Sequence, residues 1–372
     1  MRIVFAAGGT GGHINPALST AQEVRARDPA AEILFIGTKN HMEADLVPKA
    51  GFRFANIHIS GFQRSLAPAD LLRNAATVGR LLFVSGECRR ILRDFKPDVV
   101  VGYGGYVSGP VVRTAHKMGI KTAIHEQNAF PGKTNIALAR YADAVMLTSM
   151  RAAEHMKCAV PPVHTGLPVR AELLTADRDA ARAALGVPAG MPVVLSTGGS
   201  LGAESVNRAM CEVIARFRDR PVCFIHGYGQ LGDFVPALLA EKGITELNTE
   251  RLRVSEYIYD MAQCMAAADL VVSRAGASSL AEIQAMGKAS VLVPSPYVSE
   301  NHQYHNAMAL ADRGAAFVIE QKNLTPDSLG AYVEKLLKDP AIFKEIGRNA
   351  RNMAVTDAQK KICDTVMRLA GA

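Results

Sequence analysis

The chain has 372 residues, of which 49% are hydrophobic and 21% are charged. A chain of this length is usually too long to form a single hydrophobic core, so two domains are expected. The composition excludes a disordered or fibrous protein. The formal net charge of +7 fits an acidic partner. No basic run interleaved with aromatic residues is present, so we do not expect nucleic acid to bind.

The cysteine pattern and the hydropathy of the sequence indicate the cellular compartment. The six cysteines include no CxxC pair, which predicts neither a zinc site nor a disulfide framework and favours a reducing cytosol. The first predicted strand begins at Arg2 without a signal-peptide pattern, and no apolar run approaches the ~20 residues that span a bilayer. Any membrane contact is therefore expected to be peripheral.

Short β-branched runs alternate with helical patterns along the chain, which is typical of parallel sheets covered by helices. Strands are predicted near residues 3–7, 33–36, 98–101, 122–125, 144–147, 193–197, 222–226, 270–273, 291–294 and 316–319. The sequence therefore predicts two doubly wound α/β domains.

Proline and glycine residues concentrate between 161 and 168, which predicts a domain linker near residues 161–172. The expected domains are 1–165 and 166–346. The last helical segment, about 347–372, is expected to cross back onto the first domain.

The first predicted strand runs into a glycine-rich loop at residues 8–12. Glycines allow close approach of a ligand, and the following helix, with Pro16 expected in its first turn, offers N–H groups to an anion. The spacing is neither GxGxxG nor a Walker A loop, and a tight turn without a ligand is the alternative. His13 follows, where the positive end of a helix disfavours its protonated form. It is either a neutral general base or a residue that fills the turn.

The second half opens in the same way, because residues 198–202 follow a strand and carry Ser200, a hydroxyl donor for a diphosphate at a helix start. Further on, Arg274 ends a strand and leads into another helical pattern. There Ser279 and Glu282 fit a capping box. The functional alternative makes Glu282 the acceptor for two ribose hydroxyls.

Three more polar or glycine-rich segments follow predicted strands, where open α/β sheets bind ligands. Gly104 and Gly105 can present backbone amides to a diphosphate, and Glu126 and Asn128 can orient a sugar. Residues 300–303 place amide groups where sugar hydroxyls can be read. A plain polar loop is the alternative for each segment.

With these motifs the chain resembles the MurG family of peptidoglycan glycosyltransferases, which add N-acetylglucosamine to lipid I. The resemblance covers nearly the whole length and rests on residues 8–13, 42–48, 104–110, 125–128, 198–200 and 300–303. One motif departs from the family's Asp-Asn-His-Gln, because Glu300 stands at its first position. The resemblance implies a GT-B fold, with two doubly wound parallel-sheet (Rossmann-like) domains facing across a cleft.

It also implies an inverting transfer from UDP-N-acetylglucosamine to the C4 hydroxyl of the muramoyl sugar of lipid I, giving lipid II and UDP. The implied enzyme needs no cofactor and no metal. Three alternatives remain open: a UDP-sugar epimerase, a glycosyltransferase acting on another lipid, and a non-catalytic sugar-nucleotide-binding protein.

Individual roles follow from the resemblance. The residues implied to bind the donor are Thr10, Gly11, Gly12, Asn128, Arg170, Ser200, Ile258, Arg274, Ala277, Ser278, Ser279, Leu280, Ala281, Glu282 and Gln303. Among them, Ile258 flanks the uracil, Arg170 and Ser200 lie near the phosphates, and Gln303 reads N-acetylglucosamine hydroxyls. The residues implied for the acceptor or its diphosphate are Gly104, Gly105 and Tyr106. His13 is the favoured base, and Glu126 is the second candidate.

The resemblance implies that the first domain binds the acceptor and an anionic membrane surface, peripherally, at the cytoplasmic face of the bacterial inner membrane. The second domain would bind UDP-N-acetylglucosamine. In the helical stretch 70–95, basic side chains can meet anionic headgroups, and a solvated helix face is the alternative. The apolar and basic residues concerned are Leu81, Leu82, Phe83, Arg73, Arg80, Arg89, Arg90 and Arg93.

Overall fold

The computed structural model describes residues 1–59 and 83–372. They divide into two compact units, Met1–Pro168 together with Asp357–Ala372, and Val169–Thr356. Each unit contains one sheet in which every paired strand is parallel. Within the described ranges, no helix is long and apolar enough to cross a membrane.

The first unit is built on seven strands in the spatial order β3-β2-β1-β4-β5-β6-β7. They are β1 (Arg2–Ala6), β2 (Glu32–Gly37), β3 (Arg53–Asn56), β4 (Val99–Gly102), β5 (Lys121–Glu126), β6 (Ala144–Leu147) and β7 (Val163–His164). The connecting helices are α1 (Gly11–Arg27), α2 (Glu43–Lys49), α3 (83–95), α4 (Gly105–Lys117) and α5 (Lys133–Leu138). The sheet order reverses between β1 and β4, so the loops after these two strands lie side by side.

The second unit has six strands in the order β10-β9-β8-β11-β12-β13. They are β8 (Val193–Thr197), β9 (Cys223–Gly227), β10 (Leu252–Ser255), β11 (Leu270–Ser273), β12 (Ala289–Leu292) and β13 (Phe317–Val318). Its helices are α6 (Ala171–Thr175), α7 (Arg178–Ala184), α8 (Glu204–Phe217), α9 (Val235–Glu241), α10 (Met261–Ala267), α11 (Ala277–Met286), α12 (His302–Ala311), α13 (Pro326–Lys338) and α14 (Pro340–Asn352). The reversal here lies between β8 and β11.

Strand β1 shows why the central strands read as unbroken apolar runs. Its side chains alternate between two cores, so Ile3 and Phe5 pack with the core that includes α1, while Val4 and Ala6 pack with the core that includes α3 and α4. Because helices cover both faces of a parallel sheet, every residue of β1 after the exposed Arg2 is buried. The same two-sided burial holds for β4 and β11.

The last helix, α15 (Ala358–Leu369), belongs to the first unit. It packs against α1, where Arg27 Nη1 lies 2.5 Å from Asp364 Oδ1 and Gln359 Nε2 donates to Ser19 O at 3.1 Å. The preceding helix α14 packs on α11 and β12 of the second unit. The segment assigned to the first unit thus begins at Asp357 rather than near residue 347, because α14 buries its apolar face in the second unit's core.

All ten predicted strands are present with ends within two residues of those expected, which confirms two doubly wound α/β domains. The prediction missed β3, β7 and β10. Each is an edge strand in which most side chains are exposed or half-exposed, so none carries the continuous apolar run of a central strand.

Candidate active site

The loop after β1 leads directly into α1. Thr10, in extended conformation, is the residue before the helix, and its carbonyl oxygen accepts from His13 N at 3.1 Å. The expectation that Pro16 lies in the first turn is wrong, because the helix begins at Gly11 and Pro16 falls in the second turn. The N–H groups of Gly11 and Gly12 make no intrahelical bonds and are available to an anion.

The imidazole of His13 is oriented by its own loop. Its Nδ1 lies 3.2 Å from Gly8 O and 3.2 Å from Thr10 Oγ1. Because a carbonyl oxygen only accepts, Nδ1 carries the proton and Nε2 of the neutral ring has a free lone pair. Burial lowers the pKa of His13, although the bond to Gly8 and the charges of Glu126 and Glu43 act to raise it. The ring is therefore in the form that a general base requires at neutral pH.

The loop after β4 encloses this imidazole from the other side. Gly104 and Gly105 have φ values of 91° and 73°, a region that favours glycine. A Cβ on Gly105 would lie 2.7 Å from Gly8 O and 3.3 Å from His13 Nδ1, and one on Gly104 would lie 3.2 Å from His13 Nε2. The structure thus brings two predicted glycine loops and His13 into direct contact.

A buried carboxylate, to which the sequence interpretation assigned no role, supports the first loop. Glu43, fully buried at the start of α2, accepts from Gly9 N at 3.2 Å and from Thr38 N and Oγ1 at 3.1 and 2.6 Å. The hydroxyl of Tyr106 lies 3.3 Å from Thr38 Oγ1. The only sequence signal for Glu43 was its place in the motif at residues 42–48.

Glu126, the second base candidate, is occupied by four donors. Its Oε1 accepts from Asn128 N and Nδ2 at 3.0 and 3.1 Å, and its Oε2 accepts from Gly132 N and Asn135 Nδ2 at 3.1 and 2.8 Å. The side chain is 2% exposed. This carboxylate ties the end of β5 to the start of α5, and the contacts favour His13 over Glu126 as the proton acceptor.

In the second unit, the glycine loop after β8 interlocks with the loop after β9. Gln230 N donates to Ser200 O at 3.1 Å, and Leu231 N donates to Leu201 O at 2.9 Å. Helix α8 begins only at Glu204, so Ser200 lies exposed within the loop and not at the helix start as expected. Its hydroxyl remains at the carboxyl edge of the sheet.

Helix α11 presents an uncapped N-terminus at the same edge. It begins at Ala277 after Gly276, and no side chain caps it. The capping box suggested for Ser279 and Glu282 is therefore wrong, because the helix starts two residues before Ser279. Its first intrahelical bond is from Leu280 N to Gly276 O at 3.0 Å. The N–H groups of residues 277–279 are thus available to an anion.

Two residues predicted for different parts of the donor are paired with each other. Arg170 Nε donates to Glu282 Oε1 at 3.0 Å. Burial raises the pKa of Glu282, while the guanidinium of Arg170 acts to lower it. In the described part of the chain, Glu282 Oε2 has no hydrogen-bond partner, so this oxygen is available to a hydroxyl group.

Arg274 braces three segments of the second unit. Its Nη1 donates to Val293 O at 3.1 Å, and its Nη2 donates to Ser205 Oγ at 3.2 Å and Gln321 Oε1 at 2.7 Å. These contacts join the ends of β11 and β12 to the start of α8. The side chain therefore holds the carboxyl edge together, whatever it contacts in a ligand.

The other two predicted donor residues lie in segments that follow strands of this unit. Gln303, in the first turn of α12, accepts from Ser295 N at 2.9 Å through Oε1, which orients its amide nitrogen. Ile258 is buried and packs beside Gly227 at the end of β9.

The predicted membrane-facing stretch is described in part. Phe83, the first described residue of α3, is 80% exposed, and Arg89, Arg90 and Arg93 are exposed on the same helix. The other residues named for this stretch, Arg73, Arg80, Leu81 and Leu82, lie outside the described residues.

Two doubly wound units with glycine loops at their carboxyl edges are the architecture of two-domain glycosyltransferases, among other enzymes. Comparison with known proteins identifies which class this chain belongs to. The family model described as the glycosyltransferase family 28 N-terminal domain matches residues 3–147, and that of the C-terminal domain matches residues 193–362. The chain therefore belongs to glycosyltransferase family 28. The expected GT-B fold is confirmed.

Individual relatives carry one name. The chain is 42% identical over 367 residues to a UDP-N-acetylglucosamine–N-acetylmuramyl-(pentapeptide) pyrophosphoryl-undecaprenol N-acetylglucosamine transferase of Acetivibrio thermocellus, covering 98% of this chain and 97% of that one. It is 43% identical to the protein of the same name from Desulforudis audaxviator, covering 100% and 99%. The crystal structure of MurG from Acinetobacter baumannii superposes with a TM-score of 0.81 at 30% identity, covering 99% of each chain.

Proposed function

We propose that this chain transfers N-acetylglucosamine from UDP-N-acetylglucosamine to the C4 hydroxyl of the muramoyl sugar of lipid I, forming lipid II and UDP in peptidoglycan biosynthesis. The full-length similarity to N-acetylglucosamine transferases supports this donor and acceptor. The observation that carries the chemistry is His13, whose Nδ1 is held by Gly8 O so that Nε2 can accept a proton.

Contacts in the second unit support donor binding there. The free N–H groups at the start of α11 suit a diphosphate, and the exposed hydroxyl of Ser200 lies in the glycine loop at the same sheet edge. Glu282 offers an oxygen to the ribose hydroxyls, while Arg170, 50% exposed, can turn toward a phosphate. Gln303 has an oriented amide for the hydroxyls of the sugar.

The reaction is a single displacement with inversion. The C4 oxygen of the acceptor bonds to the anomeric carbon as the bond from that carbon to the β-phosphate oxygen breaks. The proton of the C4 hydroxyl passes to His13 Nε2, and UDP leaves with the electron pair. Helix N-terminal amides and Arg170 stabilise the charge that develops on the diphosphate, and Gly104 and Gly105 hold the imidazole in place.

We further propose peripheral binding of the first unit to an anionic membrane at the cytoplasmic face. The exposed Phe83 can insert among lipid headgroups, and Arg89, Arg90 and Arg93 each add about 1 kcal/mol of attraction near an anionic surface. This arrangement would keep the enzyme near a lipid-linked acceptor.

The test is a UDP-release assay with UDP-N-acetylglucosamine, with and without lipid I. Acceptor-dependent release with β-linked product is expected. The proposed transfer would be rejected if UDP release did not depend on lipid I, if UDP-N-acetylglucosamine were epimerised, or if it were bound without turnover. The His13→Ala variant should lose turnover while its affinity for UDP stays within about twofold, because His13 lies outside the unit proposed to bind UDP.

A further inference from the structure

We infer that Glu43 is a positioning residue for the transfer, which fixes the loop that orients His13 and supplies a negative charge that favours the protonated imidazole. This inference rests on the proposed function and adds to it a residue from α2, outside both glycine loops. It is a positioning role because Glu43 touches the loop and not the reacting atoms.

Glu43 is a buried carboxylate whose hydrogen bonds are satisfied by its surroundings. It is fully buried, whereas Asp45 on the same helix is exposed. Burial of a carboxylate is costly unless donors satisfy it, and three do: Gly9 N, Thr38 N and Thr38 Oγ1. None of these donors carries a charge, so the negative charge of Glu43 is not neutralised by its own hydrogen bonds.

Two glycines, Gly8 and Gly37, leave the space that the side chain of Glu43 occupies. A Cβ on Gly8 would lie 2.7 Å from Glu43 Oε1, and a Cβ on Gly37 would lie 2.6 Å from Glu43 Cγ. The carboxylate therefore fills a slot between the ends of β1 and β2. Gly8, whose carbonyl holds His13 Nδ1, is next to Gly9, whose N–H binds Glu43 Oε2. One peptide segment thus connects the carboxylate to the base.

The charge of Glu43 also acts on His13 directly. Among the described residues, the carboxylates whose charges act on the imidazole are Glu126 of β5 and Glu43 of α2, and both raise the pKa of His13 against the lowering effect of burial. Tyr106 of α4 contacts Thr38, which donates to Glu43, and the charge of Glu43 also acts to raise the pKa of Tyr106. When His13 takes the acceptor proton, the two carboxylates stabilise the resulting imidazolium. Four donors hold Glu126 at the end of β5, whereas Glu43 is hydrogen bonded to the loop of His13 itself.

The test compares Glu43→Gln with Asp45→Asn, a matched loss of one acidic residue two positions away on the same helix. In Glu43→Gln the amide NH2 must face an N–H or O–H donor, which pushes the loop away. We expect kcat to fall about 100-fold, as for a displacement of about 1 Å at a reacting group. The KM for UDP-N-acetylglucosamine should change less than threefold, and Asp45→Asn should match the wild type.

The pH dependence separates positioning from a merely structural role. Without the Glu43 charge, the pKa of His13 falls, so the acidic limb of the kcat/KM profile should move to lower pH. A histidine titration by NMR measures the same shift without turnover, so it tests the inference even if lipid I is not the acceptor. Absent acceptor-dependent UDP release in the wild type would reject the proposed function alone.

Three results would overturn the inference: kcat of Glu43→Gln within threefold of wild type, an unmoved acidic limb, or an unchanged His13 titration. If Glu43→Gln does not fold, Thr38→Val replaces it. That variant removes one donor and keeps the charge, so kcat should fall about tenfold with the acidic limb in place. Wild-type kcat in Thr38→Val would equally refute the positioning role.

Discussion

The contact between Gly105 and Gly8 allows the geometry around His13 to be tested with one methyl group. Gly105 is the first residue of α4 and Gly119 follows its end, and their φ values of 73° and 75° are nearly equal. A Cβ on Gly105 would lie 2.7 Å from Gly8 O, whereas a Cβ on Gly119 would meet nothing within 4 Å. Alanine at either position suffers the same backbone strain, so the difference between the two variants isolates the contact.

The magnitudes follow from these contacts. A left-handed backbone conformation destabilises a non-glycine residue by ~1–2 kcal/mol. Alanine also lowers the conformational entropy of the unfolded chain, which offsets ~0.4–1 kcal/mol of that loss. Gly119→Ala should therefore lower the free energy of unfolding by about 1 kcal/mol, or Tm by ~2–4 °C. Gly105→Ala should lose a further ~1–3 kcal/mol from overpacking. Displacement of Gly8 O misorients His13, so kcat should fall about 100-fold in this variant alone.

The assays are thermal unfolding, acceptor-dependent UDP release and UDP binding by calorimetry. UDP affinity should be nearly equal in both variants, since α11, Ser200 and Glu282, which are proposed to hold the nucleotide, lie in the other unit. Equal kcat values for Gly105→Ala and Gly119→Ala would refute the argument that the Gly105 backbone fixes the loop of His13.

Three further perturbations test other parts of the molecule. Glu282→Gln should weaken the binding of UDP about 10- to 100-fold and the binding of 2′,3′-dideoxy-UDP far less. Equal losses of affinity for the two nucleotides in calorimetry would argue against contact between Glu282 and the ribose. Burial lowers the pKa of His125 to about 4 from 6.5, so the unfolded chain takes up the proton first. Stability should fall as pH drops from 6.5 towards 4, by up to about 3 kcal/mol from this residue. Urea unfolding of His125→Gln should show a smaller drop over that interval. Replacing Arg89, Arg90 and Arg93 by Gln should reduce sedimentation with anionic vesicles by more than tenfold and leave kcat with a detergent-dispersed acceptor unchanged; undiminished sedimentation would place the membrane contact elsewhere.

The sequence alone was sufficient for the α/β class and for the segments that form the two carboxyl edges. Buried central strands such as β1 and β8 must be apolar on both faces, so they appear as short runs that end in glycine-rich or polar loops. Such runs are local properties of the chain. The edge strands β3, β7 and β10 pair on one side only and keep exposed side chains, so their pattern did not distinguish them from loops.

Only the tertiary structure decided which atoms meet. Glu43 and Gly9 are 34 positions apart, and Arg170 and Glu282 are 112 apart, so no local pattern reveals either contact. The sequence suggested a capping box for Glu282, but α11 begins at Ala277 and Glu282 pairs with Arg170 instead. The proton position on His13 likewise depends on Gly8 O, which the fold brings to Nδ1. Hydrogen bonds and electrostatic interactions act through space, so they follow from the packing of the loops rather than from residue order.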